Sequence, residues 1–160
     1  MPWDDKEYGN LETLVLLLLL LSGGSSLVLG LGAQKYRVRG DASRLFLVFT
    51  LLCFFYAMGS AMERLSGTPQ AIWYWGGFQY LFTPLLAPVL LLLTIDIAGW
   101  QGRLSRLGKV LIFIIPVLSL VLRQTNAWHH LFYLADAGGP VSLEYRPGPA
   151  HQIYAIWNNI

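Results

Sequence analysis

The stretch Thr13-Leu-Val-Leu-Leu-Leu-Leu-Leu-Leu-Ser22-Gly-Gly-Ser-Ser26-Leu-Val-Leu-Gly30-Leu31 decides what kind of protein this is. It carries no charge, and at about 1.5 Å of rise per residue a helix of this length reaches roughly 28 Å, enough to cross the hydrocarbon of a bilayer. Further apolar runs follow at Leu45 to Ala61, Ile72 to Ile95 and Val110 to Leu122. The last is short and reaches full length when Leu104 to Leu107 join its end, with Arg106 and Lys109 snorkelling to the headgroups. The pattern predicts an all-α polytopic membrane bundle of four transmembrane helices, over about 13–31, 45–61, 72–95 and 104–122. Composition agrees. The 160 residues are 55% hydrophobic and 12% charged, against about 25% charged in soluble domains, and the mean hydropathy is +0.51. A soluble enzyme is excluded.

Charge sets the expected orientation. Of eleven Lys and Arg, four (Lys35, Arg37, Arg39, Arg44) lie between the first two runs and three (Arg103, Arg106, Lys109) between the third and fourth, so both junctions are expected in the cytoplasm. The N-terminus is then outside. So is the segment from 124 to 152, an extended loop punctuated by Gly138, Gly139, Pro140, Pro147, Gly148 and Pro149 and with room for a short interfacial helix. Asp4, Asp5, Glu7 and Glu12 make the N-terminus acidic, unlike a secretory signal, so the first run reads as a retained span. A net charge of +2 is too small for a nucleic-acid partner. Cys53 is the single cysteine, which excludes an intrachain disulfide and a cysteine metal cluster.

Within the spans, Ser22, Ser26 and Gly30 recur every four residues and, with Ala57 and Ala61 in the second run, predict close helix packing within one bundle. Pro84, Pro88 and Pro116 each remove a backbone donor and are expected to bend their helices.

Polar residues define the candidate sites. Asn126, His129 and His130 follow the fourth span, with His151 and Tyr154 beyond. Three histidines on one side could ligate zinc or copper, hydrogen-bond at the interface, or sense pH. Adjacent histidines on a helix point about 100° apart, which disfavours a shared metal. Asn126 and His129, three residues apart, can share one face and point together towards Glu63 at the end of the second span. Asp96, at the opposite end, is close to the basic junction that includes Arg103. Trp73, Tyr74, Trp75, Phe78, Tyr80 and Phe82 open the third span, either as an aromatic belt or, with Trp128 and Phe132, as the lining of a pocket for a small or amphipathic ligand. No lysine lies within an apolar run, and no His-Glu-x-x-His pair, Gly-x-Ser-x-Gly elbow or phosphate-binding glycine loop occurs. No catalytic residue, metal site or cofactor is therefore assigned.

Four stretches in order, Ala57-Met-Gly-Ser-Ala-Met-Glu63-Arg-Leu, Leu93-Thr-Ile-Asp96-Ile-Ala-Gly99, Thr125-Asn126-Ala-Trp-His129-His-Leu-Phe132 and Gly148-Pro-Ala-His151-Gln-Ile-Tyr154, resemble the N-terminal seven-transmembrane sensor region of bacterial histidine kinases. The resemblance covers most of the chain. It implies a membrane sensor domain over 1–160 comprising the first four spans and the start of a fifth, in the plasma membrane. Glu63, Asp96, Asn126, His129, His151 and Tyr154 fall on the recurring polar positions of that region, with Asp96 standing where the family has a glutamate. The resemblance further implies signal reception without catalysis in this chain, passed to a cytoplasmic kinase. It also implies membrane lipid and an unidentified ligand as partners, and a homodimer formed through the full-length kinase. Two other functions fit the composition: an assembly subunit of a membrane complex, and a small transporter module.

Overall fold

A computed structural model describes residues 5–35, 41–134 and 146–158. The described chain is helical: α1 (Asp5–Lys35), α2 (Ala42–Arg64), α3 (Pro69–Tyr80), α4 (Thr83–Ile97), a 3-10 turn (Gln101–Arg103), α5 (Arg106–Gln124), α6 (Asn126–His129) and α7 (Pro149–Asn158). Among the described residues there is no strand, only an isolated bridge between Tyr133 and Pro147. Four helical stretches, 9–35, 42–64, 69–97 and 106–124, are long and apolar enough to cross a membrane. Only 11% of the apolar window in the first is buried within the protein, so its leucines meet hydrocarbon rather than a protein core. Arg37, Arg39 and the segment 135–145, with Gly138, Gly139 and Pro140, lie outside the described residues.

The ends of the helices follow from local chemistry. Thr68 caps α3 by accepting the Ala71 N–H at 3.3 Å, with Pro69 in the first turn, and Ser105 caps α5 through Gly108 N–H at 3.0 Å. Gly99, at φ +72°, ends α4 and lets Trp100 N–H reach Ile95 O at 3.0 Å. The chain therefore turns back sharply at the end of the bundle that holds Asp96.

The third span is broken at Leu81 and Phe82. Pro84 sits in the first turn of α4 and offers no N–H, so α3 cannot run into α4 without losing a ladder bond. Pro88 and Pro116 lie inside α4 and α5, which continue through them. All three prolines are fully buried and pack against neighbouring helices.

Close packing of α1 on α2 is real, but its register differs from the sequence expectation. Gly23 and Gly30 are the buried positions, whereas Ser22 is exposed and donates to Leu19 O. A methyl on Gly30 would collide with the Thr50 hydroxyl, and one on Gly23 would meet Ala57 Cβ at 3.2 Å. Gly59 does the same for α3, where a methyl would lie 3.0 Å from Gln79 Cβ. Small residues on both faces of α2 place it between α1 and α3. That position brings Glu63, in its last turn, against the start of α3.

Candidate functional site

At the end of the bundle where α2 and α5 finish, Arg123 is 8% exposed although it belongs to the last turn of a span. The buried positions of α5 are Pro116, Ser119 and Arg123, while Leu111, Val117, Leu118 and Val121 face outward. The helix is inside out, polar toward the protein and apolar toward lipid. The guanidinium carbon lies 5.4 Å from the Trp73 ring centre, 5.0 Å from that of Tyr80 and 5.9 Å from that of Tyr133. Its approach to α3 depends on two missing side chains. A methyl on Gly77 would sit 3.3 Å from Nη1, and one on Gly76 would touch both Arg123 Nη2, at 4.0 Å, and Glu63 Oε1, at 3.8 Å. Guanidinium and carboxylate thus border the same gap without forming an ion pair.

Glu63 is held from the side. Gln79 donates its amide to Glu63 Oε2 and accepts the Ser60 hydroxyl at Oε1, 2.9 Å away. These three residues link α2 to α3 and leave Glu63 Oε1 on the gap.

Asn126 and His129 do not converge on Glu63 as the sequence suggested; each is engaged with backbone close by. Asn126 Oδ1 accepts the N–H groups of Phe132 and Tyr133 at 2.8 and 3.0 Å, and its Nδ2 donates to Tyr133 O at 2.9 Å. Buried at 7% exposure, it replaces the backbone partners that the turn after α6 lacks. His129 Nδ1 accepts Leu131 N–H at 3.0 Å, so the ring proton is on Nε2, which faces Thr125 Oγ1 at 3.0 Å. The Thr125 hydroxyl gives its own proton to Val121 O, leaving its lone pairs for the imidazole. Both residues shape the turn that follows α6.

The start of α7 pairs with the backbone at Phe132, whose side chain has no exposed surface. Gly148 N–H donates to Phe132 O at 2.8 Å and Ala150 N–H to Leu131 O at 3.1 Å; any side chain at Gly148 would strike the Leu131 carbonyl. Phe132 meets Tyr80 edge-on at 5.3 Å, His151 at 5.1 Å and Tyr154 at 6.5 Å. His151 and Tyr154, one turn apart on α7, therefore join Asn126 through this ring and not through direct polar contact. Burial pushes the His151 imidazole below its ordinary pKa. Tyr80 and Tyr154 rings lie 5.7 Å apart. Both hydroxyls, and Arg123 Nε, are buried without a hydrogen-bond partner. Ser119 lies beside Tyr80, and Tyr80 beside Tyr154, outside hydrogen-bonding geometry; the Ser119 hydroxyl donates to Pro116 O at 2.8 Å.

The aromatic run divides between exposed and inward-facing side chains. Tyr74, 75% exposed, and Trp128, 86% exposed, point away from the bundle. Trp73 and Tyr80 face Arg123, while Phe78 and Phe82 pack with Phe55 of α2. Asp96 belongs to the other end, about 24 Å along the third span from Tyr80. There it lines a cleft of about 310 Å³ with Asp41, Arg44 and Lys109 above an aliphatic floor. Among the described residues, no three of His, Cys, Asp and Glu converge on a common point.

Arg123 and Gln79 are the site residues that sequence reasoning missed. The available signal was a polar i, i+4 pair, Ser119 and Arg123, on an otherwise apolar span.

A family model for the N-terminal 7TM region of histidine kinase matches residues 17–160 of this chain. No curated protein and no solved structure matches it.

Proposed function

Since this chain belongs to the family of N-terminal seven-transmembrane regions of histidine kinases, we propose that it is the signal-receiving input domain of a two-component system, seated in the plasma membrane. The family match along 17–160 carries the reading. In it, the N-terminus and the Arg123 end face outside, in keeping with the seven basic residues gathered at the two junctions of the opposite end. The signal is received by the cluster of Glu63, Arg123, Asn126, His129, His151 and Tyr154, and residues 1–160 perform no catalysis themselves. A signal acts only by favouring one of two bundle arrangements. The unpartnered polar atoms of this cluster and the broken third span beside it give two arrangements something to differ in. The small residues that would serve an assembly subunit are used within the chain, between α1 and α2.

The test is phosphate incorporation from labelled ATP by the native gene product in proteoliposomes, supplied with the cytoplasmic kinase of its operon where that is a separate chain. Tyr154→Phe and Asn126→Ala are expected to change the rate several-fold while Trp128→Ala, on the exposed side, leaves it unchanged. Equal rates in all four proteins would refute the reading.

A further inference from the structure

We propose that Arg123 anchors a binding site for a small organic carboxylate with an aromatic or apolar body. The inference rests on the reading of this end as the receiving one, and it is tested by binding alone, so its failure is distinct from a failure of signalling.

A buried guanidinium without a counter-charge is costly in any protein interior, and more so beside hydrocarbon. Trp73, Tyr80 and Tyr133 stabilise the cation through their ring faces. Ring faces do not replace acceptors for the in-plane N–H donors, and Nε has none. Among the described residues no carboxylate is paired with Arg123. The Tyr80 and Tyr154 hydroxyls are buried and unmatched in the same cluster. Three buried polar groups of one cluster, each able to donate, thus lack a partner, and only the guanidinium among them carries a charge. The missing partner is an oxyanion, and the planar fork of an arginine matches a carboxylate.

Glu63 narrows the class. Its Oε1 borders the gap that Gly76 leaves beside Arg123 Nη2, so the site holds one positive and one negative group. A monoanion turned toward Arg123 is accommodated, whereas a phosphate dianion meets repulsion from Glu63. The rings of Trp73 and Tyr133 border the guanidinium and offer apolar surface to the body of the ligand.

The experiment is a fluorine NMR titration of para-fluorobenzoate into the chain in neutral detergent micelles. Saturable binding is expected, displaced by benzoate and not by benzamide or methyl phosphate. Arg123→Met weakens it by about tenfold or more, and the Tyr80→Phe/Tyr154→Phe double variant, which keeps the rings, by about fivefold. If Arg123→Met does not fold, the double variant decides. Absence of saturable binding, displacement by benzamide or methyl phosphate as effective as by benzoate, or wild-type affinity in the folded variants overturns the proposal.

Discussion

Arg123 lies over Tyr80, guanidinium carbon to ring centre 5.0 Å, where α5 meets the end of α3. The contact joins the inside-out fourth span to the residue just before the break in the third. It sets a buried charge beside the break in the third span.

Arg123 is held at a cost to stability, and Arg123→Met should show it. Removing a buried unpaired charge while keeping the volume of the stem is expected to stabilise the chain by about 1 kcal/mol, net of the lost ring contacts. Reversible unfolding in sodium dodecyl sulfate measures this. A loss of stability of that size would mean that the arginine serves the fold.

Asn126→Ala removes three hydrogen bonds to the backbone of Phe132 and Tyr133 and leaves those groups buried. The expected cost is about 2–3 kcal/mol. Asn126→Asp keeps the acceptor and loses the donor to Tyr133 O, so it should fall between the two in the same titration.

Gly30→Ala drives a methyl into the Thr50 hydroxyl, with an expected loss of about 1–3 kcal/mol. Thr50→Ala in the same chain should recover part of it, since it removes the clashing hydroxyl while the Thr50 Cβ position, 3.0 Å from the added methyl, stays. Ser22→Ala, on the exposed side, is expected to change stability by less than about 0.5 kcal/mol. A larger effect at Ser22 than at Gly30 would restore the register read from the sequence.

These outcomes mark where sequence reasoning reached its end. Four spans are legible because an apolar run of twenty residues needs no knowledge of its neighbours. The rotation of a helix about its axis does need it: Ser22, Ser26 and Gly30 form one plausible stripe and Gly23 and Gly30 another, and only Ala57 and Thr50 on α2 choose between them. Among the prolines, all three remove an N–H, yet the visible break is next to Pro84. Glu63, Asn126, His151 and Tyr154 were legible as polar residues at one end, but not their partners. Gln79 and Arg123 reach them through tertiary packing. Arg123 in particular reads as an ordinary flanking charge until Trp73, Tyr80 and Tyr133 arrive from distant parts of the chain.

His151 makes stability depend on pH. Its folded-state pKa is lowered by burial from the ordinary 6.5, so below that value the unfolded chain takes up a proton that the folded chain resists. The contribution is fully present above about pH 6.5 and is lost as the pH falls below it. The thermal midpoint should decline from pH 6.5 to 5 in the wild type and more shallowly in His151→Phe, which keeps a ring against Phe132 and Tyr133. Parallel declines would remove His151 as the cause.

Reception of an external signal requires that the Arg123 end face outward, and cysteine accessibility in intact cells measures this most directly. In a Cys53→Ser background, single cysteines replace Ser66, between α2 and α3, or Ser105, at the start of α5. A membrane-impermeant maleimide is expected to label the first from outside and the second only after the membrane is opened. Labelling of Ser105→Cys in intact cells, with Ser66→Cys protected until lysis, would place the cluster in the cytoplasm and contradict the account.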